Sequence, residues 1–352
     1  MMNFLLLFVS LYSLIFGYDE ANIVFAGDAM MHQKQIDCAK LSDGTYDYSN
    51  YFTEIAPFVG NADYAVVNLE TAVSKPPYSG YPCFNAPVSY VDALKDAGFD
   101  LFLTANNHTL DRNDRGLRAT IDNLNERKLD HIGTYKSASE RDSVLPFIRN
   151  INDIKVGFLN YTYGTNGIKP GKEVVVDYID RDIIRSDVKA TREAGAEIVI
   201  VCMHWGDEYR LLPNQTQKDL AEFLKSLDVD VIIGGHPHVI QPAEITIRKD
   251  GRPQLLYYSL GNFISNMTKR DCRGGMIASV QLRRGDDGRV TVADAGYRLV
   301  YTEHPKDGGQ FRLQWADSSK WPAAQAFLKA ARDIFSKHNI DVSEDIPSDE
   351  NK

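Results

Sequence analysis

The sequence predicts an α/β fold whose buried strands carry chemistry-bearing polar residues at their ends. Short runs of consecutive apolar residues, bounded by Gly, Asn or Asp, alternate with longer stretches whose apolar residues fall three or four apart. Consecutive rather than alternating apolar residues imply strands covered on both faces. Nearly every such run is followed at once by Asp, Glu, Asn or His.

In chain order the strands are expected over residues 23–26, 64–69, 101–105, 156–160, 198–203 and 231–233. Helical spacing covers residues 90–97, 116–127, 180–194 and 215–227, with Leu117, Ile121 and Leu124 as an example. These helices should cover the sheet. Residues 255–260, 276–282 and 290–295 follow without helices between them, which predicts a second, largely antiparallel sheet. Arg284-Gly285-Asp286-Asp287-Gly288 reads as a hairpin loop within it. After Trp321, the spacing of Ala323, Phe327, Ala330 and Ile334 defines a last amphipathic helix. The acidic stretch 341–352 is expected to be a disordered tail.

A chain of 352 residues, 43% of them hydrophobic, has enough core for one large domain, read here as 18–340. Net charge is −9 and the basic residues are scattered, so nothing resembles a nucleic-acid footprint. Nucleic acid is excluded as a partner class. Residues 1–17 are apolar but short for a membrane span, and they suit the core of a secretory signal. No Lys or Arg precedes the run, and Ile15 with Gly17 makes a poor cleavage site. The expectation is a signal peptide or a short membrane anchor, with a buried first strand as the plainer reading. In the first case the mature chain begins near Tyr18, and the domain lies outside the cytoplasm, in a periplasm or at the cell surface. Cys38, Cys83, Cys202 and Cys272 show no CxxC spacing, so neither a zinc ribbon nor a thioredoxin-like pair is indicated. Cys202 reads as a buried free thiol. Cys38 and Cys83 fall in loop-like stretches, and whether they pair is open at this stage.

The strand ends supply the candidate site. Asp28 follows 23–27, Glu70 follows 65–69, and Asn106, Asn107 and His108 follow 101–105. His204 follows 201–203, and Gly235-His236-Pro237-His238 follows 231–234. Each has a plainer reading: Asp28 as a turn or cap, Glu70 as solvated surface, His204 as a satisfied core histidine. Ligand sites in open α/β sheets lie at the carboxyl ends of strands, and the repetition there favours one shared crevice. His236 and His238 are the strongest local signal, two imidazoles on one tight turn with glycines that permit close backbone approach. Asn107 offers a hard oxygen ligand and His108 a proton donor. Carboxylate, amide oxygen and imidazole without thiolate suit Mn, Fe or Zn, and one divalent ion or two can be assembled from these groups. Asn262, Asn160, Tyr161 and Trp205 are lesser candidates, for substrate contact or support on one reading and turn or packing roles on the other.

At these residues the chain resembles the CapA family of poly-γ-glutamate synthesis and capsule proteins, within the calcineurin-like metallophosphoesterase superfamily. The resemblance runs from about residue 23 to about residue 300. It rests on an ordered series: Gly27-Asp28, Asn68-Leu69-Glu70, Ala105-Asn106-Asn107-His108 with Asp111, His204-Trp205-Gly206, Gly235-His236-Pro237-His238 and Ser259-Leu260-Gly261-Asn262-Phe263. It implies a four-layer α/β/β/α sandwich holding two metal ions. Asp28 and His238 would serve the first metal, and Asn107, His204 and His236 the second. Glu70 stands where a bridging aspartate is usual, and His108 where a histidine protonates the leaving oxygen. The usual Asp-x-His is broken here, with Met30 at the histidine position and His32 two residues beyond as a candidate replacement. The implied activity is hydrolysis of a phosphoester or amide bond. Its substrate would be an anionic envelope or capsule polymer, a precursor of one, or a small phosphoester. The alternative is a non-catalytic, metal-containing assembly or export factor that works with capsule-assembly membrane proteins.

Overall fold

The computed structural model describes residues 20–305 and 309–345. The apolar run 1–17, the expected mature start near Tyr18 and residues 346–352 lie outside the described residues.

Two mixed sheets stack on each other. The first runs in the order Arg312–Trp315, Val290–Glu303, Gly274–Arg284, Glu20–Ala29, Tyr64–Leu69, Leu101–Leu103 and Asp130–Ile132. Its strands from Glu20–Ala29 to Asp130–Ile132 are parallel, and Gly274–Arg284 joins them antiparallel on the other side. The second runs Ile240–Ile247, Pro253–Leu260, Val231–Gly235, Ile198–His204, Ile154–Thr162 and Phe147–Ile151. Its central strands are parallel and both edges antiparallel.

Side chains alternate across each strand, so one sequence run serves two layers. Ile23, Phe25, Val66 and Leu103 share a core with Ile198, Ile200, Cys202 and Ile233 of the second sheet. Val24, Ala26, Ala65 and Val67 turn the other way, onto Tyr90, Val91 and Leu94 of the helix Val88–Asp96. On the far side, Val199, Val201 and Met203 meet Ile184 and Val188 of Arg181–Glu193, and Leu220, Ala221 and Leu224 of Gln215–Ser226. This is the α/β/β/α sandwich that the resemblance implied. Burial on both faces explains the unbroken apolar runs, each fully buried Val or Ile being worth about 1.5–3 kcal/mol. The outer helices start where capping residues direct them: Asp180 accepts from Asp182 N and Ile183 N, and Asn214 forms a capping box with Gln217.

Several expectations are corrected. The late strands do not form a sheet of their own. Pro253–Leu260 lies parallel to Val231–Gly235 in the second sheet, whereas Gly274–Arg284 and Val290–Glu303 form a hairpin that extends the first. The 284–288 loop does close that hairpin, with Arg284 opposite Val290. Residues 341–345 are not a loose tail: Ser343–Glu344 pairs with Gly296 and Tyr297, and Asp345 accepts from Ser279 Oγ at 2.6 Å. All four cysteines carry free thiols, so Cys38 and Cys83 form no bridge.

Candidate metal centre

The carboxyl ends of the parallel strands of both sheets converge on one buried cluster. Asp28 comes from Glu20–Ala29, where the register against Tyr64–Leu69 shifts between Ala26 and Asp28. Glu70 follows Tyr64–Leu69, His204 ends Ile198–His204, and His236 and His238 follow Val231–Gly235. Close approach of the backbones needs glycine at two places. A Cβ on Gly27 would lie 2.0 Å from Gly261 O, and one on Gly235 would lie 2.9 Å from Asp28 Oδ1. His236 and His238 hold φ of 95° and 57°. Such left-handed conformations cost non-glycine residues about 1–3 kcal/mol each and cluster at functional sites.

Hydrogen bonds fix the orientation of the rings. His238 Nδ1 lies 3.1 Å from both Asp28 Oδ2 and Asn262 Oδ1. Both partners are acceptors, so Nδ1 carries the proton and the Nε2 lone pair is directed elsewhere, 3.7 Å from Glu70 Oε1. His204 Nε2 lies 2.8 Å from Asn107 Oδ1 and 3.7 Å from Glu70 Oε1. Asn68 Nδ2 donates to Asp28 Oδ1 at 2.8 Å and to Glu70 Oε2 at 3.3 Å, and Asn106 Nδ2 holds Asn68 Oδ1 at 3.1 Å. The His204 and His236 rings are 4.8 Å apart between centroids, and His236 and His238 5.7 Å.

These groups fit a divalent metal. Glu70, His236 and His238 form one set, and Asp28, Glu70 and His204 another, each with ligand atoms within 4.8 Å of one another. Glu70 belongs to both. Glu70 Oε1 and His236 Nδ1 are buried without a hydrogen-bond partner, an expensive arrangement unless a cation takes the lone pairs. Burial, and secondarily the Asp28 charge, pushes the Glu70 carboxyl well above the usual range. Burial acts the same way on Asp28, but the interaction with His238, helped by His204 and the Asn68 hydrogen bond, outweighs it and holds that carboxyl well below the usual range. Burial also drives the His204 imidazole far below its ordinary value and His236 down to about 3, His236 and His238 respectively adding to the effect. Neutral imidazoles keep the lone pairs that a metal needs.

Beside this cluster, His108 Nδ1 lies 2.7 Å from Asp111 Oδ2, and the same oxygen accepts from Phe84 N at 2.6 Å. Phe84 packs edge-on against the His108 ring at 4.5 Å. Asn107 also reaches the loop after the strand Ile154–Thr162, donating to Asn166 Oδ1 at 3.3 Å.

The family model of the bacterial capsule synthesis protein PGA_cap matches residues 22–267, more than half of the 352-residue chain. The chain belongs to this family. Capsule biosynthesis protein CapA of Bacillus anthracis is 28% identical over 259 residues, 70% of this chain and 60% of that protein. PGA biosynthesis protein CapA of Bacillus subtilis (strain 168) is 26% identical over 292 residues, 78% of this chain and 71% of that one. The match thus spans less than two thirds of the length of the Bacillus anthracis relative. Among solved structures, the NAD nucleotidase of Haemophilus influenzae is similar over 93% of this chain and 64% of that chain, at 14% identity and a TM-score of 0.48.

In this PGA_cap chain the lesser sequence candidates divide. Asn262 supports the cluster, with Oδ1 on His238 and Nδ2 donating to Cys272 O at 2.8 Å. Asn160 ties the two sheets instead, accepting from Ala105 N at 2.8 Å and donating to Cys202 O at 3.3 Å. His32 accepts from Asn266 N at 3.3 Å and packs edge-on against Phe84 at 5.1 Å, and burial holds its ring at about 4. Met30 is buried, at 1% exposure, yet belongs to none of the apolar clusters. Two candidates are corrected. Trp205 lines no groove: it is buried in the outer core with Nε1 donating to Tyr258 O at 2.9 Å. Tyr161 is buried there too, its hydroxyl given to Asp187 at 2.8 Å. Tyr163, missed in the sequence, packs on His236 instead, with ring centroids 4.5 Å apart. Asn68, within the Asn68-Leu69-Glu70 series, is the hub of the carboxylates, with Nδ2 shared between Asp28 and Glu70.

Proposed function

We propose that this chain is an exported metal-dependent hydrolase that cleaves a phosphoester or amide bond in an anionic capsule or envelope polymer or its precursor. The observation that carries the reading is the pair of unpartnered, buried lone pairs on Glu70 Oε1 and His236 Nδ1, set among further carboxylate and imidazole ligands. Asp28, Glu70 and His204 would hold one ion, and Glu70, His236 and His238 a second or the same one, with the Asn107 oxygen at hand. A divalent cation there supplies Lewis acidity toward a phosphoryl or carbonyl oxygen. The chain supplies the rest. Asp111 accepts from Nδ1 of His108 and would stabilise the ring when Nε2 is also protonated, so that the Nε2 proton is the one given to the departing group. Asn68 and Asn106 fix the carboxylates, and Asn262 fixes the tautomer of His238. Export is part of the proposal and is supported by the apolar run 1–17.

His108→Ala tests the assignment. It is expected to keep bound metal near wild type while lowering kcat on a poor leaving group by roughly 10²–10⁴-fold. On a nitrophenyl ester, whose leaving group departs without a proton, the defect should shrink markedly. Equal defects on both substrates, or loss of metal, would remove His108 from the acid role.

A second reading, a metal-containing assembly factor without turnover, is favoured by one feature: buried Met30 stands where the superfamily places a histidine. Tight polymer binding with no turnover of phosphoester or γ-glutamyl substrates under Mn, Fe and Zn would support it against the hydrolase.

A further inference from the structure

The rim of the metal centre is aromatic. Among the described residues, the large hydrophobic side chains that stay exposed include three aromatics, Tyr81, Tyr163 and Tyr209, at 76%, 47% and 41% exposure. Tyr163 and Tyr209 lie against the site, and Tyr81 stands one ring further out. Tyr163 sits 4.5 Å from His236, and 6.3 Å from His204 in a nearly parallel stack of 10°. Tyr209 sits 6.3 Å from His238, and Tyr81 6.3 Å from Phe84, the ring that packs on His108. A single exposed tyrosine needs no explanation, but the gathering at one mouth of every exposed aromatic among the described residues does.

Each comes from a separate loop, and backbone hydrogen bonds hold that loop in place. Tyr163 N donates to His204 O at 3.0 Å, and Tyr209 N to Pro237 O, between the two histidines of the turn, at 2.8 Å. The Tyr81 loop is closed by reciprocal Ser79 and Asn85 backbone bonds of 3.1 and 2.8 Å, with Ser79 Oγ donating to Cys83 O at 2.6 Å. Tyr209 keeps a φ of 66°, a left-handed conformation that a bulky residue holds only where its surroundings impose it. The rings are therefore presented rather than merely left outside. A tyrosine offers a flat apolar face for a ring and a hydroxyl for the polar groups around it. Lys269 Nζ covers one face of the Tyr209 ring at 3.8 Å and adds a cation at the same mouth for an anionic group, so stacking on Tyr209 would use the face away from Lys269.

We propose that Tyr81, Tyr163 and Tyr209 form a stacking collar for a ring carried by the substrate, a sugar or a base, beside the bond held at the Asp28 and Glu70 cluster. An extended acyl chain would gain little from such faces. The inference rests on the hydrolase reading only for the position of the scissile bond, because ring binding needs no turnover.

The test is calorimetric binding of adenosine monophosphate, glucose 1-phosphate and methyl phosphate to the metal-loaded full chain. The proteins compared are wild type, the three single Tyr→Ala variants and their Tyr→Phe counterparts. Wild type should bind at least one ring-bearing ester more tightly than methyl phosphate, and each Tyr→Ala should cut that preference by about 5- to 100-fold while Tyr→Phe keeps most of it. A preference for adenosine monophosphate alone names a base, and one for glucose 1-phosphate names a sugar; either supports the collar. Equal affinity for all three ligands in wild type, or a preference that survives every alanine, overturns it. Tyr81, mostly exposed, gives a variant whose folding is not at issue. A ring preference without hydrolysis of any ester would keep the collar and remove the phosphoester form of the hydrolase reading; hydrolysis without ring preference would keep the hydrolase and overturn the collar.

Discussion

Asp28 and Asp230 are both buried carboxylates, 0% and 3% exposed, at opposite ends of strands, and the fold treats them differently. Asp230 stands before Val231–Gly235 and is surrounded by the chain's own cations. Arg192 and Arg248 both pair with it, Arg248 Nη2 at 2.8 Å, and Val199 N donates to it at 2.8 Å. Asp28 and Glu70, at the carboxyl ends, have no Lys or Arg partner among the described residues, only amides and imidazoles. A buried charge is tolerated only when it is paired or neutralised. In the first cluster the carboxylate is fully paired by the chain's own cations, although Arg248 Nε and Nη1 find no hydrogen-bond acceptor among the described residues, whereas in the second the open groups are lone pairs, which suit a cation from outside.

The largest expected effects separate the two clusters. Asp230→Ala leaves two guanidinium groups without their carboxylate and should cost about 3–5 kcal/mol of unfolding free energy while metal content stays at the wild-type value. His236→Ala should lose the metal instead. In metal-free protein it should cost far less stability than Asp230→Ala, because its Nδ1 has no partner to lose. Denaturant unfolding with elemental analysis on the same samples reads both. Metal loss from Asp230→Ala, or metal retained by His236→Ala, would break the distinction.

The site half of this comparison was largely legible in the sequence and the other half was not. Asp28, Glu70, His204 and the His236-Pro237-His238 turn each follow directly on a buried strand, so local pattern alone located them. Asp230 meets Arg192 and Arg248 through chain reversals that no window of sequence displays. The same limit explains the late strands: 255–260 and 276–282 look alike as apolar runs, and only non-local pairing sends one to each sheet. Tyr163, just beyond the apolar run, gives no strand-end signal, and the residue that ends the run is Tyr161. Alternation along the strand turns its side chain into the outer core, and the chain must leave the strand before a tyrosine can reach the histidines.

His131 offers a smaller effect and a third way of burying a polar group, in neutral form. Its Nε2 lies 3.1 Å from Asn125 Oδ1, its Nδ1 has no partner, and burial holds the imidazole below its ordinary value. The unfolded chain therefore takes up this proton first as pH falls below about 6.5, and stability is lost on the acid side. His131→Phe should remove that contribution. The stability difference between wild type and variant should be constant above pH 7 and move against wild type, by at most about 1.4 kcal/mol per pH unit, between pH 6.5 and 5. A difference independent of pH would mean that this imidazole takes up its proton as readily in the folded state as in the unfolded one.

The smallest effect tests whether burial or geometry sets the worth of an ion pair. Arg332 reaches Glu344 with two hydrogen bonds, Nε to Oε2 at 2.7 Å and Nη2 to Oε1 at 3.0 Å, a fork as well formed as any around Asp230. The Arg332 side chain is 44% exposed, against 5% for Arg248. Water reaches much of the Arg332 side chain, although Glu344 is only 11% exposed, so pairing recovers less than it does at Arg248 and costs side-chain entropy. Arg332→Ala should therefore lower unfolding free energy by only about 0.2–1 kcal/mol, and 0.5 M salt should erase most of the difference. The local consequence should exceed the global one. Glu344 pairs with Tyr297 through a strand of only two residues, so amide exchange at residues 343–345 should quicken while the core strand Ile198–His204 stays protected. A loss comparable to that of Asp230→Ala would show that fork geometry, not desolvation, governs these pairs, and the contrast between the two buried clusters would lose its physical basis.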